Sequence, residues 1–163
     1  MKTLVVYYSR TGNTKVVADE VAEALGADVE ELKDTKDRQG PVGYMKSARD
    51  AVRKTRAEIK KAVHDPADYD LVILGGAIWA GSICSPMQTY ALDHKGKFKR
   101  VAFLCTAGSS SATWAQKAFD ALEEVTDMNP VATLGVGQAE VRGDHEQVVA
   151  DFIASLDSRG TAD

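Results

Sequence analysis

Cysteine is scarce in this chain. Of 163 residues only Cys84 and Cys105 are cysteines, and they form no Cys-x-x-Cys pair. Two thiols build no disulfide framework, so a reduced, cytoplasmic setting is expected. No apolar run approaches the roughly 20 residues of a membrane span, and the N-terminus carries no apolar signal region. Charge of one sign is also missing: the formal net charge is only -4, which gives no basic footprint for nucleic acid. His64, His94 and His145 lack metal-ligand spacing, so no metal site is expected. Neither an internal repeat nor a linker interrupts the chain, so one domain is expected over 1–157, with 158–163 as a fraying tail.

What is present is a core. Hydrophobic residues make up 44% of the chain, enough for a packed domain. Five apolar runs read as strands: Thr3 to Tyr8, Asp28 to Lys33, Leu71 to Gly76, Arg100 to Thr106, and Val131 to Gly137. The first, third and fourth are almost continuously apolar, as strands covered on both faces should be. The second is more polar and suits an edge. Helical stripes alternate with them. Val17, Val21, Ala24 and Leu25 end at Gly26 as a C′ residue, and Pro86 opens a helix to about Leu92. A stripe from Trp114 to Leu122 and another from Val148 to Leu156 follow. This alternation predicts an α/β doubly wound parallel sheet with right-handed crossovers. Residues 34–69 exceed a normal crossover. They read as a loop and then a basic helix from Tyr44 to Val63, either a solvated face or a docking patch for an acidic partner. Tyr44, Met45 and Ala48 are free to pack on the sheet or reach toward a ligand.

The richest segment is Ser9-Arg10-Thr11-Gly12-Asn13-Thr14, between the first strand and the first helix. Hydroxyls, backbone N–H groups and a helix N-terminus converge there, as a phosphate site requires. No lysine follows Gly12, so this is not the nucleoside-triphosphate loop. The plainer reading is an N-capped helix with Thr11 or Asn13 as the cap. In open α/β sheets ligands bind beyond the carboxyl ends of the strands, where strand order reverses. Two more loops leave that edge. Gly76 to Ser85 sets Trp79 among small residues, a composition that suits a flat ring system. Cys84 in this loop reads as a small packed residue. Thr106-Ala107-Gly108-Ser109-Ser110-Ser111 is small and polar, and closes the other side of a slot. A receiver-type signalling domain needs acids after strand one and an aspartate ending strand three. A small tyrosine phosphatase needs Cys-x₅-Arg. The chain has neither pattern.

On these residues the chain resembles the flavodoxin family. Ser9-x-Thr11-Gly12-x-Thr14 is similar to the family's flavin-phosphate motif, Asp68 to Gly75 to its third strand, and the Trp79 and Thr106-Ala107-Gly108 loops to its isoalloxazine contacts. The resemblance spans about residues 1–157. It implies a flavodoxin-like, three-layer α/β/α fold with a five-stranded parallel sheet in order 2-1-3-4-5. It implies noncovalent FMN and electron transfer through it, with redox partner proteins or a small-molecule donor and acceptor, as monomer or homodimer. An FMN-dependent NAD(P)H oxidoreductase acting on quinone-type acceptors is the alternative, and a module that has lost the flavin is a lesser one. The implied contacts are Ser9, Thr11, Gly12, Asn13 and Thr14 for the phosphate, with Arg10 in the same turn but pointing to solvent. Ala77, Ile78, Trp79, Ala80 and Gly81 line the flavin, with Trp79 against one face. Thr106, Ala107, Gly108 and Ser109 line the pyrimidine end, and no catalytic side chain is required. Two departures from the family stand out. The strand-four loop lacks the tyrosine that many members stack on the outer flavin face, and Trp114 is expected to start a core stripe instead. That leaves the outer face open to a substrate, a partner subunit or part of residues 34–50. Neither flavin-side loop holds Asp or Glu, which predicts a less extreme low potential than acidic carriers have.

Overall fold

The strands form because their side chains are buried on both faces of one sheet. In the computed structural model, residues 1–108 and 112–158 are described, with backbone alone for 112, 113, 157 and 158. Strand β1 is Thr3–Tyr7, followed by helix α1 (Asn13–Leu25), β2 (Asp28–Glu31) and α2 (Gly40–Val52). Then come β3 (Leu71–Trp79), β4 (Ser82–Ile83), α3 (Ser85–Asp93), β5 (Val101–Ala107) and α4 (Ala112–Thr126). The chain closes with β6 (Thr133–Gly137), α5 (Gln138–Arg142) and α6 (Glu146–Ser158). The parallel strands lie in the order β2-β1-β3-β5-β6, which is the expected 2-1-3-4-5 once the small β4 is set aside. The order reverses between β1 and β3, and a crevice opens there at the carboxyl ends. Ser109, Ser110, Ser111 and the tail beyond Ser158 lie outside the described residues.

Alternation along each strand divides the core. Leu4, Val6, Val72, Leu74 and Phe103 face Met87, Tyr90, Ala118 and Leu122 on one side. Val5, Tyr7, Ile73 and Leu104 face Val17, Val21, Val149, Phe152 and Leu156 on the other. Three layers result, with helices on both faces. Leu4, Val5, Val6, Val72, Ile73 and Phe103 are all fully buried, so these strands carry no solvent face to make polar. The edge strand β2 leaves Asp28 and Val29 exposed, as its polar sequence anticipates. Helix α1 stops where Gly26 turns left-handed at φ 57°, and Ala27 N–H donates to Ala22 O at 2.9 Å. Among the described residues no helix is long and apolar enough to cross a membrane.

Three elements differ from expectation. The segment after Gly76 is not a loop: β3 runs on to Trp79 and folds back through Ala80 and Gly81 to pair antiparallel with β4. Both turn residues have positive φ, 50° and 78°, the backbone of a type I′ hairpin turn. The basic helix is shorter than expected. It begins at Gly40, with Pro41 in its first turn, and ends at Val52. Lys54 then turns left-handed, and residues 55–65 return extended beside the β2 connection. Thr35 N–H donates to Glu58 O and Lys60 N–H to Lys33 O. This return alternates a buried Ala57 with exposed neighbours, the period of a strand rather than a helix. The basic residues are thereby divided between two elements. Lys54 and Arg56 are tied to Glu124 and Asp93, so no continuous basic face forms. Helix α5, which carries no strong stripe, was not anticipated.

Candidate functional site

The cleft at the strand ends is assembled from all three loops. One part, about 300 Å³, is lined by Arg10, Thr11, Asn13, Thr14, Tyr44, Ala77, Ile78, Trp79, Thr106, Ala107, Gly108 and Gln138. A second part, about 290 Å³, is lined by Tyr44, Ile78, Ala80, Gly81, Ala107, Gly108 and Trp114. The two share Tyr44, Ile78, Ala107 and Gly108, so they form one elongated site. A roomier cavity, about 430 Å³, lies between the extended return and the end of α3, and touches none of these loops. Its lining mixes Lys60, Lys61 and Lys97 with Asp65 and Asp93, and so selects no ligand charge.

The turn from Ser9 to Thr14 is preformed. Gly12 N–H donates to Ser9 Oγ at 3.0 Å, so that amide is already used within the turn. Gly12 itself takes the cap position of α1 at φ 94°, and no described side chain caps the helix. The expected caps, Thr11 and Asn13, therefore do not act as such. A helix leaves its first N–H groups without intrahelical partners, and here Asn13 and Thr14 of that first turn line the cleft. The hydroxyls of Thr14 and Thr106 are 2.7 Å apart in a buried hydrogen bond that joins the turn to the end of β5. Lys15 turns away to Asp19 and the Tyr7 hydroxyl, and those hydrogen bonds hold its ammonium pKa above the usual value.

Arg10 is half-buried rather than in solvent: it lines the cleft and its guanidinium lies 5.4 Å from the Tyr44 ring centroid. The turn is thus not free of cations. Trp79 lines the cleft too, yet only 2% of its surface is exposed. Its ring stands edge-on to Tyr8, with centroids 5.7 Å apart, and the Arg38 guanidinium covers it at 5.3 Å. The exposed aromatic rings at the cleft belong to Tyr44, 49% exposed, and Trp114, 43% exposed. Trp114 does not start a core stripe. It packs against the hairpin turn so closely that a Cβ on Gly81 would fall 2.5 Å from its ring. Sequence reasoning misplaced Trp114, and it missed Gln138, which sits at the start of α5 and has no motif around it. Tyr44 was visible only as a large residue on a helix of undecided position.

Outside the cleft, the remaining candidates are structural. Cys84 is fully buried and burial pushes its thiol up to about 12, so it stays protonated. His64 contacts Glu30 at 2.9 Å, His94 its own helix at Tyr90 O, and His145 lies 2.8 Å from Glu20. Behind Trp79 lies a buried ion cluster. Burial alone would lower the Arg38 pKa, but hydrogen bonds and charges of Asp34 and Asp50 outweigh it and raise it. Burial would likewise raise Asp50, and the donors Arg49 and Arg38 bring it below the usual carboxylate range.

Fold and cleft together define an α/β protein with an open cleft at the switch point of a doubly wound sheet. The chain belongs to the flavodoxin family, whose model, described as Flavodoxin, matches residues 2–134. Among solved structures, a flavoprotein of Lactobacillus acidophilus NCFM in complex with FMN is 26% identical, with a TM-score of 0.70 over 86% of this chain and 96% of that one. Oxidised flavodoxin 2 of Bacillus cereus is 18% identical, with a TM-score of 0.61 over 98% of this chain and 99% of the other, a likeness of fold. A WrbA-like flavodoxin of Agrobacterium tumefaciens is 14% identical, with a TM-score of 0.60 over 98% of each chain. No curated protein matches the chain.

Proposed function

We propose that this protein binds FMN noncovalently and carries electrons through it. The observation that carries this reading is the single cleft that joins an uncapped helix start, beside the Thr14–Thr106 hydrogen bond, to a second part lined by Tyr44 and Trp114. The residues fit the group. The hydroxyls of Thr11 and Thr14, the Asn13 amide and the free N–H groups of the first turn suit a phosphate, and Arg10 adds charge, while Ser9 shapes the turn from outside the cleft lining by accepting from Gly12 N–H. Ala77, Ala107 and Gly108 have little bulk beyond the backbone, which lets a ring edge approach main-chain donors and acceptors. Tyr44 and Trp114 flank the slot from two different elements, each offering a ring edge or face to a ring held there. Bound FMN supplies the acceptance and release of one or two electrons. The chain's own part is to bind, orient and shield. Arg10 and Tyr44 are the only ionisable residues in the described lining, and neither is assigned a proton-transfer role.

The visible spectrum of the purified protein, followed by FMN titration of the apoprotein, tests the reading. Flavin bands and saturable binding at one site per chain are expected. Failure to take up FMN would end it. A second reading, direct NAD(P)H oxidation with a quinone-type acceptor, is favoured by the open side of the slot between Tyr44 and Trp114. Steady-state NAD(P)H oxidation with a quinone separates the two. The carrier reading expects slow turnover without a partner reductase.

A further inference from the structure

We infer that Arg38 is a positioning residue that sets the Tyr44 wall of the cleft without lining it. The inference rests on the flavin reading above for its consequence, but its geometry stands independently. Arg38 lies between β2 and α2 and is 4% exposed. Its Nε donates to Asp34 Oδ2 at 2.5 Å, and its Nη1 to Asp50 Oδ2 at 3.2 Å and Ser47 Oγ at 3.5 Å. Asp34 belongs to the β2 connection, whereas Ser47 and Asp50 are on the buried face of α2. One guanidinium therefore bolts the helix to the sheet.

The fit is close at the backbone as well. A Cβ on Gly43 would fall 2.4 Å from the Arg38 carbonyl carbon, so only glycine lets α2 sit down on this segment. Tyr44, the next residue, is carried out to the cleft by that seating. Underneath, the same guanidinium covers the Trp79 ring at the end of β3. Arg38 thus fixes Trp79 below and Tyr44 beside it through one rigid fork. Three charges removed from water are weak evidence for stability, since apolar residues of equal volume often serve as well. A planar fork that satisfies two carboxylates in fixed directions supplies geometry that an apolar contact does not.

The test combines Arg38→Lys with Tyr44→Ala in a double-mutant cycle. Lysine keeps the charge but loses the fork and the flat contact with Trp79. In the apoprotein, amide exchange across residues 40–52 should quicken about tenfold in R38K, with β1 and β3 unchanged. Tyr44→Ala should raise the FMN dissociation constant about tenfold in the parent and less than about threefold in R38K. Should R38K fail to fold, D34N/R38M/D50N removes all three charges together and strands no carboxylate, and the same pattern is expected. Unchanged protection of α2, or an equal cost of Tyr44→Ala in both backgrounds, would overturn the assignment. If the parent takes up no FMN, the flavin reading falls, and the exchange result still decides whether Arg38 holds α2.

Discussion

Single contacts decide how the cleft is built. The Thr14–Thr106 hydrogen bond is the only described side-chain bond that joins the first turn to β5. Thr14→Val keeps the shape and leaves the Thr106 hydroxyl alone in a buried site. A loss of about 1–3 kcal/mol in urea unfolding is expected, with weaker FMN uptake. At the hairpin, Gly81→Ala should cost at least about 1 kcal/mol, because the residue has φ 78° and its Cβ would meet the Trp114 ring. A shifted tryptophan emission maximum would report the displaced ring, whereas an unchanged spectrum and stability would refute the contact. Much of this scale was legible in the sequence: Ser9 to Thr14 stands out because hydroxyls, a glycine and a helix start coincide. Trp79 lines the cleft as the sequence suggests, although it is nearly buried there. Trp114 was misread: a residue that starts a stripe looks buried, and only the hairpin at Ala80 and Gly81 shows its ring at the cleft.

Among the elements, α2 depends most on charge. Asp50 has its pKa lowered by Arg49 and Arg38, so its contribution to stability is complete above the unfolded carboxylate value near about 4. It is lost as pH falls through the lower, folded value. Far-UV circular dichroism between pH 6 and 2.5 should show α2 melting at the acid end, and Asp50→Asn should flatten that part of the curve. An acid transition identical in D50N would show that the anchor lies elsewhere. The sheet order and the helices on both faces were readable because their periods are long and unbroken. The end of α2 was not. Lys54 to Lys61 is more basic than the helix before it, and composition does not distinguish a solvated helix from a strap paired with residues 33–35. Long-range bonds from Lys60 N–H to Lys33 O and from Thr35 N–H to Glu58 O settle that choice.

At the scale of the whole molecule, charge around the cleft matters more than the net of -4. The described lining contains Arg10 and no Asp or Glu. A reduced, anionic flavin held there meets no carboxylate repulsion from the wall and some attraction from Arg10. Spectroelectrochemical titration should give a less extreme low couple than acidic-walled carriers show, and Arg10→Glu should drive it lower. A very low couple in the parent would contradict this. The absence of acids from the loops was plain in the sequence. The presence of Arg10 at the cleft was not, since its direction is set by Tyr44 on an element far along the chain.

The bare start of α1 has one more consequence. A glycine at the cap gives up about a few tenths of a kcal/mol relative to serine or aspartate at that position. On the FMN reading the phosphate takes up that helix start, and ligand at a hundred times the dissociation constant adds about 2.7 kcal/mol to resistance against unfolding. Cells starved of the vitamin precursor would accumulate the weaker form, which proteases reach first. Abundance of this protein should therefore follow riboflavin supply even at constant transcription.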